Sequence, residues 1–253
     1  MKFLIRSAKG FFMALSMFSV IPAPRAWNDE SRNMMLPMLP VIGAIIGLLW
    51  YGFSVLLIWL SPPLMLAAAL IFLFPLLMSG FLHLDGLMDT SDAIFSQAEL
   101  DKKRAILKDP HAGAFAVISA CVYFLLGFAA AYAALTGRAG FVALAFVPAL
   151  TRCVAGIAAL NAKLIWESGF VASFRKDTGR GHTAAVVIIG GLCFTAGVFF
   201  GGFDALIVMG AAVFASSLLG FYSVRQLRGI SGDLCGFIIA GGELFALLTL
   251  ALV

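Results

Sequence analysis

Apolar residues run almost unbroken through seven stretches of this chain, near 37–60, 64–82, 112–135, 141–160, 184–202, 205–222 and 235–253. Each approaches the ~20 residues that a helix needs to cross a bilayer. These lengths suit helices rather than the ~10-residue strands of a membrane barrel. Polar residues gather before the first stretch and after the second, fourth and sixth. The pattern predicts an all-α polytopic membrane bundle of about seven transmembrane helices, forming one integral-membrane domain over 1–253. No internal repeat and no separate soluble domain stand out. Ahead of the first span, an apolar run over 11–21 follows Lys2, Arg6 and Lys9 and closes at Pro22-Ala-Pro24. A signal peptide would look similar. Nothing after it resembles a translocated domain, so a helix lying uncleaved in the membrane interface is expected.

Composition makes the membrane reading decisive. Of 253 residues, 62% are hydrophobic and 12% charged, where soluble domains carry about 25% charged residues. Mean hydropathy is +1.04. Cys121, Cys153, Cys193 and Cys235 lie singly in or at the ends of spans with no paired spacing, as small packing residues do. Gly43 and Gly47 in the first span form a small-xxx-small pair that lets a neighbouring helix approach closely. Pro37, Pro40, Pro62, Pro63 and Pro75 mark ends or bends of the first hairpin.

Charge orients the bundle. Lys2, Arg6, Lys9, Arg25 and Arg32 precede the first span; Lys102, Lys103, Arg104 and Lys108 follow the second. Lys163, Arg175, Lys176 and Arg180 follow the fourth, and Arg225 and Arg228 the sixth, whereas the opposite side offers only Arg138. The positive-inside rule then sets the amino terminus and every long loop in the cytoplasm. The net charge of +4 is accounted for by this topology and by anionic lipid, and gives no reason to invoke nucleic acid.

The polar residues that resist this explanation are the candidates for chemistry. The segment Phe81-Leu-His-Leu-Asp-Gly-Leu-Met-Asp-Thr-Ser-Asp-Ala-Ile-Phe95 ends the second span and carries Asp85, Asp89 and Asp92. On a helix Asp89 and Asp92 fall about 40° and 20° around the axis from Asp85, so three like charges share a face. Such crowding is unfavourable unless a cation sits among them. Hard oxygen donors suit Mg²⁺ or Mn²⁺, which bridge diphosphates and neutralise their charge; solvated carboxylates on an interfacial helix are the plain alternative. Gly86 permits close approach of a ligand or another backbone. Asp233, in Gly229-Ile-Ser-Gly-Asp233, is either a cap of the last span or a further acidic ligand. Lys108 and His111, in Lys108-Asp-Pro-His-Ala-Gly113, lie with Arg104 where they can grip phosphate oxygens. Arg152 and Glu243 each sit about 12 Å into their spans, at matching depth. They are expected to pair, either as a bridge between spans four and seven or as the polar floor of a substrate cavity.

With these residues assembled, the chain resembles the cobalamin synthase family, the adenosylcobinamide-GDP ribazoletransferases. The likeness covers nearly the whole length. It is carried by Phe-Ser-Val-Ile-Pro-Ala-Pro up to Pro24, Leu39-Pro-Val-Ile-Gly43, His83-Leu-Asp-Gly-Leu-Met-Asp-Thr-Ser-Asp92, Lys108-Asp-Pro-His-Ala-Gly113 and Gly229-Ile-Ser-Gly-Asp233, with Glu243 following. Met88, Ser91, Ala93 and Leu234-Cys235 depart from the expected pattern, and none of these removes a carboxylate.

The resemblance implies the last assembly step of adenosylcobalamin in the bacterial cytoplasmic (inner) membrane, with the active face cytoplasmic. A hydroxyl of α-ribazole, or of its 5′-phosphate, attacks the phosphorus on the aminopropanol arm of adenosylcobinamide-GDP, and GMP leaves. It further implies Mg²⁺ dependence, with Asp85, Asp89 and Asp233 as metal ligands and Asp92 a ligand or the base. Lys108 and His111 would neutralise charge on departing GMP, and Arg104, Arg152 and Glu243 would support substrate binding. A homo-oligomer is left open. Other classes fit less well. A CDP-alcohol phosphotransferase needs Asp-x-x-Asp-Gly-x-x-Ala-Arg with two later aspartates, and a prenyltransferase needs two aspartate-rich motifs. A transporter would set its acids near the midplane, often with a repeat.

Overall fold

The structure, a computed structural model, describes residues 2–24, 27–137 and 140–253. Arg25 and Arg138, both counted in the charge bias, lie outside the described residues. Among the described residues the regular elements are all helical: α1 (Lys2–Phe18), α2 (Met35–Leu60), α3 (Leu64–Met78), α4 (Leu82–Phe95), α5 (Leu100–Ile106), α6 (Ala114–Thr136), α7 (Val147–Asn161), α8 (Phe170–Arg175), α9 (Arg180–Leu227) and α10 (Gly232–Leu250). Short 3-10 turns at Asp29–Met34 and Phe141–Ala145 lead into α2 and α7.

Among the described residues, four helices are long and apolar enough to cross a membrane: α2 with its leading turn, α6, α9 and α10. The bent pair α3 and α4 makes a fifth. The expected count of seven is therefore not reached by length and composition, for two physical reasons. Helix α7 has only 15 residues. And α9 contains two of the expected spans in a single 48-residue helix, broken at Gly202 (φ 65°, ψ −149°). That backbone conformation is open almost only to glycine. A side chain at Gly197 would run into the sulfur of Met209, twelve positions along, which a straight helix would hold about 18 Å away. The chain therefore doubles back at Gly202. The outer face of α9 exposes Phe199, Phe200, Phe203, Phe214 and Phe221, whereas the interior holds Thr151, Arg152, Ser216 and Glu243. Apolar outside and polar within is the distribution expected of a membrane protein.

Small residues set the helix contacts. A Cβ on Gly43 would strike Pro148 and Ala149, and one on Gly47 would strike Ala145, so the small-xxx-small pair of α2 receives the backbone at the start of α7. Proline creates its own need. Pro75 lacks the N–H that would bond the carbonyl of Ile71; the indole Nε1–H of Trp50 donates to that oxygen instead, at 2.8 Å. The amino-terminal helix is tied in as well. Met13, Ala14 and Leu15 pack with Met35, Leu36 and Leu39 of α2, and the Val20 amide donates to the Met78 carbonyl at 2.9 Å.

That last bond braces the turn that launches the acidic helix. Gly80 and Phe81 both take left-handed conformations (φ 59° and 61°), and the Phe81 amide reaches back to the Leu76 carbonyl at 2.9 Å, closing α3 in the manner of a helix C-cap. Two left-handed residues in succession turn the chain by 88° between α3 and α4. The first is glycine, which adopts this region freely; Phe81 does so at a steric cost.

Candidate active site

Helix α4 presents Asp85, Asp89 and Asp92 on its open side and buries His83, Leu84, Gly86, Leu87, Thr90, Ala93 and Ile94. The buried side lies against the start of α10 through two glycines. A Cβ on Gly86 would stand 2.6 Å from the carbonyl oxygen of Asp233, and one on Gly236 would stand 3.1 Å from the Cα of Gly86. Backbone on backbone at this crossing brings Asp233 to the acidic face of α4. Burial and the nearby charges of Asp85, Asp233 and Asp92 all oppose the negative charge of half-buried Asp89. Asp233 occupies the first turn of α10, where the helix dipole favours an anion. Ser231, not Asp233, is the capping residue, and its hydroxyl donates to Asp233 Oδ2 at 3.1 Å.

Asp92 is engaged differently. The Ala116 amide donates to its Oδ1 at 3.3 Å, and a side chain at Gly113 would collide with its carboxylate. Asp92 thus sits on the amino terminus of α6 and satisfies one of the orphan amides there, a capping role supplied from another helix. Its second oxygen is left for other partners.

The basic residues spread out. Arg104 donates through Nε and Nη2 to the Leu227 carbonyl at 3.2 and 3.0 Å, and through Nη2 to Arg228 at 3.4 Å. It closes the carboxyl end of α9, where unpaired carbonyls attract cations. Lys108 places its ammonium 4.4 Å from the Trp166 ring centroid. Trp166 in turn lines a groove of about 190 Å³ that ends at Ser231 and Asp233. His111 is exposed, with Nδ1 2.7 Å from Asp109 Oδ1. Its backbone N–H and ring beside Asp109 hold that carboxyl below the usual range. Arg152 and Glu243 pair at 2.7 Å, both buried, as their matching depths predicted. Arg152 also donates to the Pro148 carbonyl at 3.0 Å.

A second cavity, about 270 Å³ and mostly apolar, opens against Asp85 and Asp233. Its walls come from α1, α2, α4, α8 and α10. Sequence reasoning did not find this cavity, nor the part His83 plays in it. The histidine is 5% exposed, lines the cavity, and its Nε2 has no hydrogen-bond partner. The only local signal was its place two residues ahead of Asp85.

Among the described residues, no three His, Cys, Asp or Glu side chains close into a ready ligand set. Mg²⁺ does not require one. It keeps several waters and is commonly held by one or two carboxylates together with substrate phosphate oxygens. Asp85, Asp89 and Asp233, all hard oxygen donors with uncompensated charge, fit that mode. Asp92 fits it with one oxygen only.

No solved structure matches the chain. A protein of Clostridium perfringens (strain 13 / Type A) named adenosylcobinamide-GDP ribazoletransferase is 35% identical over 248 residues, covering 97% of this chain and 98% of that protein. Proteins of the same name from Clostridium botulinum (strain Eklund 17B / Type B) and Geobacillus kaustophilus are each 32% identical, covering 96% and 92% of this chain and 97% and 92% of their own. The profile of the cobalamin-5-phosphate synthases matches residues 10–251, which include the four aspartates and both walls of the Gly86–Gly236 crossing. The chain belongs to the cobalamin-5-phosphate synthase family.

Proposed function

We propose that this protein catalyses the final joining step of adenosylcobalamin synthesis, from adenosylcobinamide-GDP and α-ribazole or its 5′-phosphate, at the cytoplasmic face of a bacterial inner membrane. The observation that carries the reading is the Gly86–Gly236 crossing, which gathers Asp233 with Asp85 and Asp89 on a chain of this family. In the reaction, a ribazole hydroxyl oxygen bonds to the phosphorus on the aminopropanol arm. The bond from that phosphorus to the bridging oxygen breaks, GMP departs with the electron pair, and the hydroxyl proton passes to a base. Mg²⁺, when bound, supplies positive charge against the diphosphate.

The chain's own residues account for the rest. Asp85, Asp89 and Asp233 would hold the cation beside the diphosphate, and phosphoryl transfer asks mainly for positioning and charge stabilisation. Lys108, held over Trp166 at the mouth of the groove that ends at Asp233, balances charge on departing GMP. His111 lies on the same exposed loop. Asp92, with one oxygen on α6, orients that helix against α4 and is a proton acceptor only through the other oxygen. Arg104 acts on the substrate indirectly, by anchoring the end of α9 from which the Asp233 loop departs.

The direct test follows GMP release in membranes supplied with both substrates. EDTA is expected to abolish release and added Mg²⁺ to restore it; release that persists in EDTA excludes the metal. A second test addresses the crossing itself. In Gly86→Ala the new methyl must push the Asp233 backbone away, and a displacement of about 1 Å costs about 10²-fold in rate. The variant is expected to accumulate in membranes while losing about that much turnover. Unchanged turnover would remove Asp233 from the site.

A further inference from the structure

The cavity beside Asp85 and Asp233 has features that the diphosphate chemistry does not use. It is about 270 Å³, near the lower end of the ~300–1,000 Å³ of small-molecule sites, and such sites are mostly apolar with a few placed polar groups. Its aromatic wall comes from Phe18, Phe170 and Phe174, with Phe174 edge-on to Phe18 (82° between planes) and stacked with Phe170 (24°). Its one buried polar side chain is His83, whose Nε2 has no partner. A buried imidazole nitrogen without a bond is unfavourable unless something completes it. The other groove, past α8, is the one that leads to Trp166 and Lys108. The two spaces meet only at Asp233, Gly232 and the Phe170–Val171 edge.

A reaction centre held by Asp85, Asp89 and Asp233 therefore has two sides of opposite chemistry. The cationic side suits a departing phosphate. The apolar side is too small for a corrinoid, and among the described residues its lining holds no Lys or Arg to take a second phosphate. What fits there is a flat heteroaromatic ring with few polar atoms. We propose that this cavity receives the aromatic base of the attacking nucleoside, with its ribose turned toward the aspartates and the His83 ring supplying a hydrogen-bonding contact within the pocket. The assignment rests on the proposed reaction and adds to it the location of one substrate. A burial site for a lipid acyl chain is the competing occupant, and it would leave no trace in nucleoside kinetics.

The test measures KM separately for α-ribazole and for adenosylcobinamide-GDP, in membranes containing the full chain with Mg²⁺. Three comparisons are made. Val171→Trp narrows the cavity from α8, and His83→Phe removes the ring nitrogens while keeping an aromatic ring; His83→Gln restores a polar group. On the wild-type protein, α-ribazole is compared with its analogue lacking both ring methyls. We expect Val171→Trp and His83→Phe each to raise KM for α-ribazole about tenfold or more, with KM for adenosylcobinamide-GDP unchanged and His83→Gln recovering part of the loss. Removing two methyl groups from apolar contact is expected to raise KM about tenfold. That last comparison needs no variant and stands even where a substitution prevents folding. Equal KM values for α-ribazole and its demethylated analogue overturn the assignment. So does a rise confined to adenosylcobinamide-GDP, or no rise at all, which is the result a lipid-filled cavity gives. Failure of wild-type membranes to release GMP would instead overturn the reaction itself, a separate outcome.

Discussion

Replacing Asp85 or Asp89 with asparagine is expected to lower GMP release by about 10³-fold or more, with the protein still inserted and folded. The size follows from what phosphoryl transfer requires: a single group that neutralises transition-state charge, such as an arginine finger, is worth about 10³–10⁵ in rate. The insensitivity of folding follows from where the groups stand. Asp85 is exposed and Asp89 half-buried, and their charges oppose each other and Asp233. Removing one charge relieves repulsion, so thermal stability in detergent without metal should hold or rise slightly. Mg²⁺ should stabilise the wild type against heat more than either variant. Asp92→Asn serves as the internal contrast. Its amide oxygen can still accept from the Ala116 N–H, so the cap on α6 survives while the charge is lost. A loss smaller than that of Asp85→Asn assigns Asp92 chiefly to α6; an equal loss returns it to the metal or to proton transfer. Full activity in both purified Asp85 and Asp89 variants would refute the metal site.

The second large effect concerns stability. Glu243→Ala strands the Arg152 guanidinium, which is fully buried and already leaves Nε and Nη2 without partners. Breaking a buried ion pair from one side costs about 3–5 kcal/mol, because the remaining charge stays desolvated and unbalanced. We expect a sharply lower unfolding temperature in detergent and little mature protein in membranes. Removing both partners tells the rest. An Arg152→Met, Glu243→Met double variant replaces the pair by apolar volume and should regain most of the lost stability. Neither residue lines the cavity beside Asp85, so the double variant should also keep most of its turnover, as a bridge between α7 and α10 requires. A double variant that folds well and is inactive would favour the other sequence-level reading, a polar floor beneath the substrate.

The acidic face of α4 was legible in the sequence because carboxylates at i, i+4 and i+7 coincide on any helix, whatever surrounds it. The Arg152–Glu243 pair was legible for a similar reason: two intramembrane charges at one depth have few other ways to be neutralised. Gly43 and Gly47 announced a close helix contact but not its partner, which proved to be the start of α7. The span count was not legible in the same way. A helix of 15 residues and a helical hairpin closed on the single residue Gly202 both defeat a rule based on length.

Amino-acid order by itself determined the helical class, the membrane setting, the single acidic stripe and the family. All of these follow from local periodicity, composition or ordered short motifs. Tertiary structure alone decided that Gly86 meets Gly236 and so brings Asp233 to the stripe, that Asp92 caps α6, and that Arg104 closes α9. It also assembled an aromatic cavity around His83 from residues as distant as Met17 and Ile239. Periodicity states which face of a helix is turned inward. Which helix meets that face depends on steric fit between surfaces far apart in the chain, and no local pattern records it.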